Sequence, residues 1–183
     1  MKVPFFDYKQ LYLRDKKAIN NIINKIASKG AFILQKDVAN FEKKICDYTN
    51  AKYAISVANG TDAMQIYIKA YGIKTGDEVI LSSHTMIATA SAIKFCGAKP
   101  IPVDINISDG LINPNKIEEK INNKTKAIIV THLNGRTCEM DKIIKLSKKY
   151  KLKLFEDAAQ ALGSKYYNKF AGTFGDASSI SFY

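Results

Sequence analysis

A mostly parallel α/β sheet with helices on both faces is the fold class this sequence predicts. Three observations carry it. Short apolar runs recur at Tyr53–Val57, Glu78–Ser82, Lys99–Val103, Ala127–Thr131 and Lys153–Phe155, with stretches of helical spacing between them. At 183 residues and 46% hydrophobic content, the chain can bury one substantial core. Residues able to do chemistry follow directly after the runs, and open α/β sheets bind ligands beyond the carboxyl ends of their strands. Strands alternating with helices of this length call for crossover connections and a parallel sheet.

Each element has its own signal. Leu11, Leu13, Ala18, Ile22, Ile23 and Ile26 recur at helical spacing over residues 9–29 and stop at Gly30. A second helix is expected from about Asp37 to Tyr48. Between the strand-like runs, helical stretches fall at Asp62–Ala70, Thr85–Phe95, Pro114–Ile121 and Met140–Tyr150. After the fifth run come Glu156 and Asp157, a loop of small residues, and two glycine-containing turns. Lys165 and Lys169 belong to a hairpin or loop there, and a further strand-like run precedes Tyr183. No repeat, low-complexity tract or interdomain linker interrupts this pattern, so one α/β domain is expected over 1–183.

Composition excludes more than it assigns. The formal charge of +11 invites a nucleic-acid partner. Yet the positive residues are almost all lysines, with only Arg14 and Arg136 as arginines, and they are spread along helix-like segments. A solvated, Lys-rich surface is the better reading, with no nucleic acid. Cys46, Cys96 and Cys138 lack metal-ligand spacing and read as small buried residues of a reducing compartment. No stretch approaches the ~18 apolar residues of a membrane span, and the start, MKVPFFDYKQ, has no long apolar run. The expectation is a cytoplasmic protein without a membrane partner.

The strand ends carry the chemistry. Asn59-Gly60-Thr61 lies between a strand and a helix. There a glycine lets backbone approach a ligand, and helix-start N–H groups favour a phosphate. The plainer alternative is a turn with Thr61 or Asp62 capping the helix. Neither G-x-G-x-x-G nor G-K-[ST] is present, which disfavours a dinucleotide fold or P-loop. Asp157 follows an apolar strand and precedes Ala158-Ala159, so it belongs in a pocket where something positive or hydrogen-donating must meet it. A protonated heterocycle nitrogen would serve; a helix N-cap is the alternative. Glu156 is expected to face outward. His84 and His132 follow strands but have no third ligand at metal spacing, and no G-x-S-x-G elbow supports a serine hydrolase.

Six segments in register, NGTDAM, SSHTMIATASAI, GAKPIPVDI, THLNGRTCEMD, FEDAAQALGSKY and GTFGDASSISFY, resemble the DegT/DnrJ/StrS-type sugar-nucleotide aminotransferases. These are pyridoxal 5'-phosphate enzymes of aspartate-aminotransferase fold, and the likeness runs from about Pro4 to Tyr183. It implies that Gly60, Thr61 and Ser181 hold the cofactor phosphate. Met86 falls where a side chain, usually aromatic, stacks on the ring; a thioether packs there less firmly. Asp157 matches the carboxylate paired with the pyridinium nitrogen, which makes the ring an electron sink. Ala159 would lie under the ring, and Gln160 would reach its hydroxyl.

The resemblance also sets an expectation about extent. In the family the motif continues S-F-x-x-x-K to the lysine that binds the cofactor covalently, and Lys165 and Lys169 do not fit that motif. The following strand lies antiparallel beside the first, and a small C-terminal domain comes after it. The chain is therefore expected to be the N-terminal part of the cofactor-binding large domain, inactive alone. The implied parent activity is amino transfer from an amino acid, glutamate by resemblance, to a keto group of a nucleotide-linked sugar, by a homodimer in its full-length form. Two alternatives stay open: a sugar dehydratase of the same family, with histidine replacing the lysine, and a non-catalytic half-fold serving as an assembly surface.

Overall fold

Apolar runs bounded by turns become strands only where each finds a neighbour, and four of the five expected runs do. The computed structural model describes residue 4, residues 6–30 and residues 32–182. They divide into two compact units, one up to Lys44 and one from Ile45 onward.

In the first unit, α1 (Tyr8–Ala27) follows the predicted helix closely, with the Asp7 side chain accepting from the Gln10 N–H at 3.0 Å to cap it. The chain then turns through Gly30 at φ +61°, a conformation glycine adopts without steric cost. The boundary between units falls inside α2 (Lys36–Thr49).

The second unit holds the sheet. Its elements are α3 (Gly60–Ala70), β1 (Glu78–Ser82), α4 (Ile87–Phe95), β2 (Lys99–Val103) and α5 (Pro114–Ile117), then β3 (Thr125–Thr131), α6 (Met140–Lys149) and β4 (Lys153–Asp157). A two-residue antiparallel hairpin, β5 (Lys165–Tyr166) with β6 (Lys169–Phe170), precedes β7 (Ala177–Ser179). The five-stranded sheet runs β2-β1-β3-β4-β7 and every pair in it is parallel.

Side chains alternate along each strand, so the sheet has two apolar faces. Val79, Leu81, Ala127, Ile129 and Phe155 meet Met64, Tyr67 and Ile68 of α3 and Ala92 and Ile93 of α4. Ile80, Ile128, Val130 and Leu154 meet Ile117 of α5 and Met140 and Ile143 of α6. Burial on both faces explains why β1 and β3 read as near-continuous apolar runs. It also separates two adjacent acids, sending Asp157 to the α3–α4 face and Glu156 to the α5–α6 face.

β2 contains Pro100 and Pro102, which a central strand could not carry. Lys99 donates its N–H to Asp77 O at 2.9 Å and Val103 accepts from Ser83 N at 2.8 Å. Residues 99, 101 and 103 therefore turn their hydrogen bonds toward β1, and the two prolines face outward from an edge. The missing donors cost the ladder nothing.

Residues Tyr53–Val57, predicted as a strand, join no ladder among the described residues. Tyr53 and Ile55 are 74% and 81% exposed. β-branched and aromatic content favours extended backbone, but a strand also requires a partner for its N–H and C=O groups. The helix predicted at Thr85–Phe95 begins at Ile87, and that at Pro114–Ile121 ends at Ile117 with one 3₁₀ turn after it. No helix among the described residues is long and apolar enough to cross a membrane.

Candidate active site

Chain order reverses between the two neighbours of β1, since β2 lies on one side and β3 on the other. A crevice opens at such a point beyond the carboxyl ends of the strands. The residues that follow β1, β3, β4 and β7 converge there, with the N-termini of α3 and α4.

The N-terminus of α3 is built by Asn59. Its side-chain oxygen accepts from Asp62 N at 2.9 Å, and its amide nitrogen donates to Asp62 Oδ2 at 3.0 Å. The cap is thus Asn59, correcting the assignment to Thr61 or Asp62, and the helix begins at Gly60 itself. The N–H groups of Gly60 and Thr61 precede any intrahelical acceptor and carry the positive end of the helix dipole. Gly60 is buried, and a Cβ placed on it would stand 3.5 Å from Ser181 Cβ and 3.9 Å from Ser181 Oγ. Folding has therefore brought two residues from opposite ends of this unit into one small cradle.

Asp157 closes β4 and is 4% exposed. Its Oδ2 accepts from the Thr89 hydroxyl at 2.7 Å and its Oδ1 from the Ala159 N–H at 3.2 Å. Those donors allow a carboxylate to stay in an otherwise apolar surround. Thr89 Oγ1 also lies 2.9 Å from Thr85 Oγ1, which is 2.9 Å from Thr131 Oγ1. The phenol of Tyr67, on α3, is pushed far up, first by burial and then by the negative charge of Asp157.

Met86 occupies the N-cap position of α4, one turn before Thr89, and is 66% exposed. Ala159 is half-buried in the turn after Asp157. Gln160 is exposed there, with its amide oxygen accepting from Asn134 N at 2.8 Å. Gly60 with Ser181, and Asp157 with Ala159, thus form two contact groups, and Met86 joins the second through α4. No contact is recorded between Gln160 and either group.

Glu156 does not face outward. It is fully buried, and the expectation is corrected by its partners. Its Oε1 accepts from the N–H groups of Phe174 (2.6 Å) and Gly175 (2.7 Å), and its Oε2 from Gly172 N (2.7 Å) and His132 Nε2 (2.9 Å). Four donors replace the water that exposure would have supplied. His132 Nδ1 accepts from Cys138 N at 3.2 Å, which fixes the ring proton on Nε2 and makes the imidazole a neutral donor to Glu156. His84, exposed, binds Gly110 O through Nδ1 at 3.1 Å. No cluster of three metal-ligating side chains occurs among the described residues.

Lys165 and Lys169 lie on the small hairpin, their ammonium groups 4.3 Å and 5.0 Å from the ring centroids of Phe170 and Phe174. The cysteines are free; Cys138 is buried, while Cys46 and Cys96 are half-buried rather than buried.

The site residues that sequence reasoning missed are Thr85, Thr89 and Thr131. Their one signal is spacing: Thr85 and Thr89 stand four apart across a helix start and so share a face.

A match to the DegT/DnrJ/EryC1/StrS aminotransferase family covers residues 13–183. The chain belongs to this family. A dTDP-3-amino-3,6-dideoxy-alpha-D-galactopyranose transaminase from Aneurinibacillus thermoaerophilus is 47% identical over 180 residues, 98% of this chain and 50% of that protein. A GDP-perosamine synthase from Escherichia coli O157:H7 is 44% identical over 172 residues, 93% of this chain and 46% of that one. Among solved structures, NtdA from Bacillus subtilis with bound cofactor PMP superposes with a TM-score of 0.88 at 37% identity, over 93% of this chain and 40% of that one. The chain thus spans about half the length of the curated relatives it matches. Pyridoxal 5'-phosphate is the cofactor of the DegT/DnrJ/EryC1/StrS aminotransferases, and the parallel sheet is that of their fold.

Proposed function

We propose that these residues form the cofactor-holding half of a pyridoxal-phosphate aminotransferase acting on a keto group of a nucleotide-linked sugar, with an amino acid as donor. The observation that carries the reading is the joining of Gly60 to Ser181 at a helix N-terminus, in the unit that also buries Asp157 at a neighbouring strand end. The residues fit the group. The first N–H groups of α3, with the hydroxyls of Thr61 and Ser181, would hold its phosphate. Asp157, held by Thr89 and Ala159, would keep a proton on the pyridine nitrogen. Met86 would lie on one ring face and Ala159 under the other, and the amide nitrogen of Gln160 would serve the ring hydroxyl. When bound, the cofactor supplies an electron sink for the carbon from which a proton is removed. The catalytic lysine is no part of this reading, because Lys165 and Lys169 face Phe170 and Phe174. The full-length enzyme is proposed to be a cytoplasmic homodimer.

The test uses PMP, which lacks the aldehyde that would react with surface lysines. Titrated into the chain, it should bind saturably. Asp157→Asn should weaken binding by about tenfold or more, since the amide keeps the shape but not the charge, and a charged hydrogen bond contributes about 1.5–3 kcal/mol. Equal affinity in the variant would remove Asp157 from the ring.

A further inference from the structure

The hydroxyls beside Asp157 have a direction. A carboxylate accepts and cannot donate, so Thr89 donates to Asp157 Oδ2 at 2.7 Å. A threonine hydroxyl has one proton. Thr89 has used its own, so the 2.9 Å bond to Thr85 must be donated by Thr85, and the 2.9 Å bond from Thr85 to Thr131 by Thr131. Three hydroxyls, from the β1–α4 turn, α4 and β3, thus point their protons one way, and the row ends on Asp157. Hydrogen bonds in a row polarise one another, which strengthens the last.

Thr89 is 0% exposed and Thr131 6%, so no solvent competes at either position. The other groups facing Asp157 are the Ala159 N–H, from the turn after β4, the Tyr67 phenol, from α3, and the hydroxyls of its sheet neighbours Thr131 and Ser179. Glu156 and His132 lie on the opposite sheet face and are paired with each other. Thr89 is therefore the one side chain that hydrogen-bonds Asp157 among the described residues.

We propose that Thr89, supported through Thr85 by Thr131, is the positioning residue that holds the Asp157 carboxylate in one plane for the cofactor's ring nitrogen. This rests on the cofactor reading above. Thr89 fixes Oδ2 while the backbone fixes Oδ1, so both oxygens are pinned and the carboxylate cannot rotate. Without Thr89, the carboxylate loses its side-chain donor and is free to turn out of that plane. A ring nitrogen bound there would lose its aligned acceptor and would hold its proton less firmly.

The experiment uses the chain as it exists, with PMP labelled at the ring nitrogen with ¹⁵N, and reads affinity and nitrogen shift at neutral pH. Thr89→Val, nearly isosteric, should weaken binding about tenfold, which corresponds to about 1.4 kcal/mol, and move the shift toward neutral pyridine. Thr89→Ser should restore both. Thr131→Val, which lies opposite Asp157 in the sheet but reaches its carboxylate only through Thr85 and Thr89, should produce a smaller change of the same sign. Should Thr89→Val fail to fold, Thr131→Val carries the test, and an unchanged shift in it overturns the proposal. Weaker binding with the nitrogen shift unmoved would assign Thr89 to packing alone and also overturn it. Binding lost in Asp157→Asn but intact in Thr89→Val leaves the cofactor reading standing and ends the role of Thr89. No saturable binding by the wild-type chain removes both.

Discussion

At the residue scale, the most demanding group is Glu156. Four donors meet its two oxygens inside the protein, and three of them are backbone N–H groups of residues 172–175. Glu156→Gln keeps the volume but turns an NH₂ toward two of those donors. The cost should be about 3 kcal/mol, read as a lowered urea midpoint; an unchanged midpoint would mean that the loop does not depend on the carboxylate. Cys138 gives a pH test. Burial, followed by the charges of Asp109 and Glu156, pushes its thiol up to about 12 from 9.0. The folded state thus keeps a proton that the unfolded state loses above pH 9. Its contribution to stability is complete below pH 9 and is lost as pH rises toward 12. Cys138→Ala should flatten the alkaline fall in stability, and native Cys138 should resist alkylation at pH 9. Asp157 was legible in sequence because an apolar strand and two alanines flank it. Glu156, one position earlier, was not, because a charged residue is exposed by default and its donors lie beyond a loop.

At the element scale, loops are shaped by how closely backbones approach. A Cβ on Gly175 would stand 2.3 Å from Leu154 O and 3.0 Å from its carbonyl carbon, so the strand itself would have to move. Gly175→Ala should cost more than 2 kcal/mol, of the order seen for overpacking. Gly60→Ala meets Ser181 only at ordinary contact distance, so it should fold normally. Melting curves of the pair provide the check, and equal losses would refute the distinction. Strands β1 to β4 were legible from their apolar runs, because burial on both faces leaves little room for polar residues. Tyr53–Val57 showed the limit of that signal, since propensity records a preference for extension and not the presence of a neighbour. The threonine row was illegible for a related reason: each hydroxyl alone looks like a turn or cap residue, and only the fold aligns three of them.

At the scale of the whole molecule, charge dominates. With a formal charge of +11 and a pI near 9.4, like-charge repulsion opposes nonspecific association of copies at neutral pH. The second unit also exposes Tyr53, Ile55, Ile87 and Phe95. Light scattering should therefore rise as pH approaches 9.4 and fall again at lower pH. Scattering independent of pH would show that apolar contact outweighs repulsion throughout. The family resemblance was legible across nearly the whole chain because the residues after each strand are few, chemically distinctive and fixed in order.

The adjacent acids of β4 have one more consequence, for how the chain avoids misfolding. Thr131 is opposite Asp157 and Val130 opposite Glu156, with Ser179 and Ser178 on the other side. If β4 paired one residue out of step, every side chain would change faces. Glu156 would leave its backbone donors for the threonine row, and Asp157, one methylene shorter, would enter a cradle shaped for glutamate. Two buried charges would be orphaned at once. An apolar strand slipped by one position finds another apolar face and loses little; this strand does not. The neighbouring acids act as a key that fits one alignment, widening the energy gap between the native sheet and its nearest competitor.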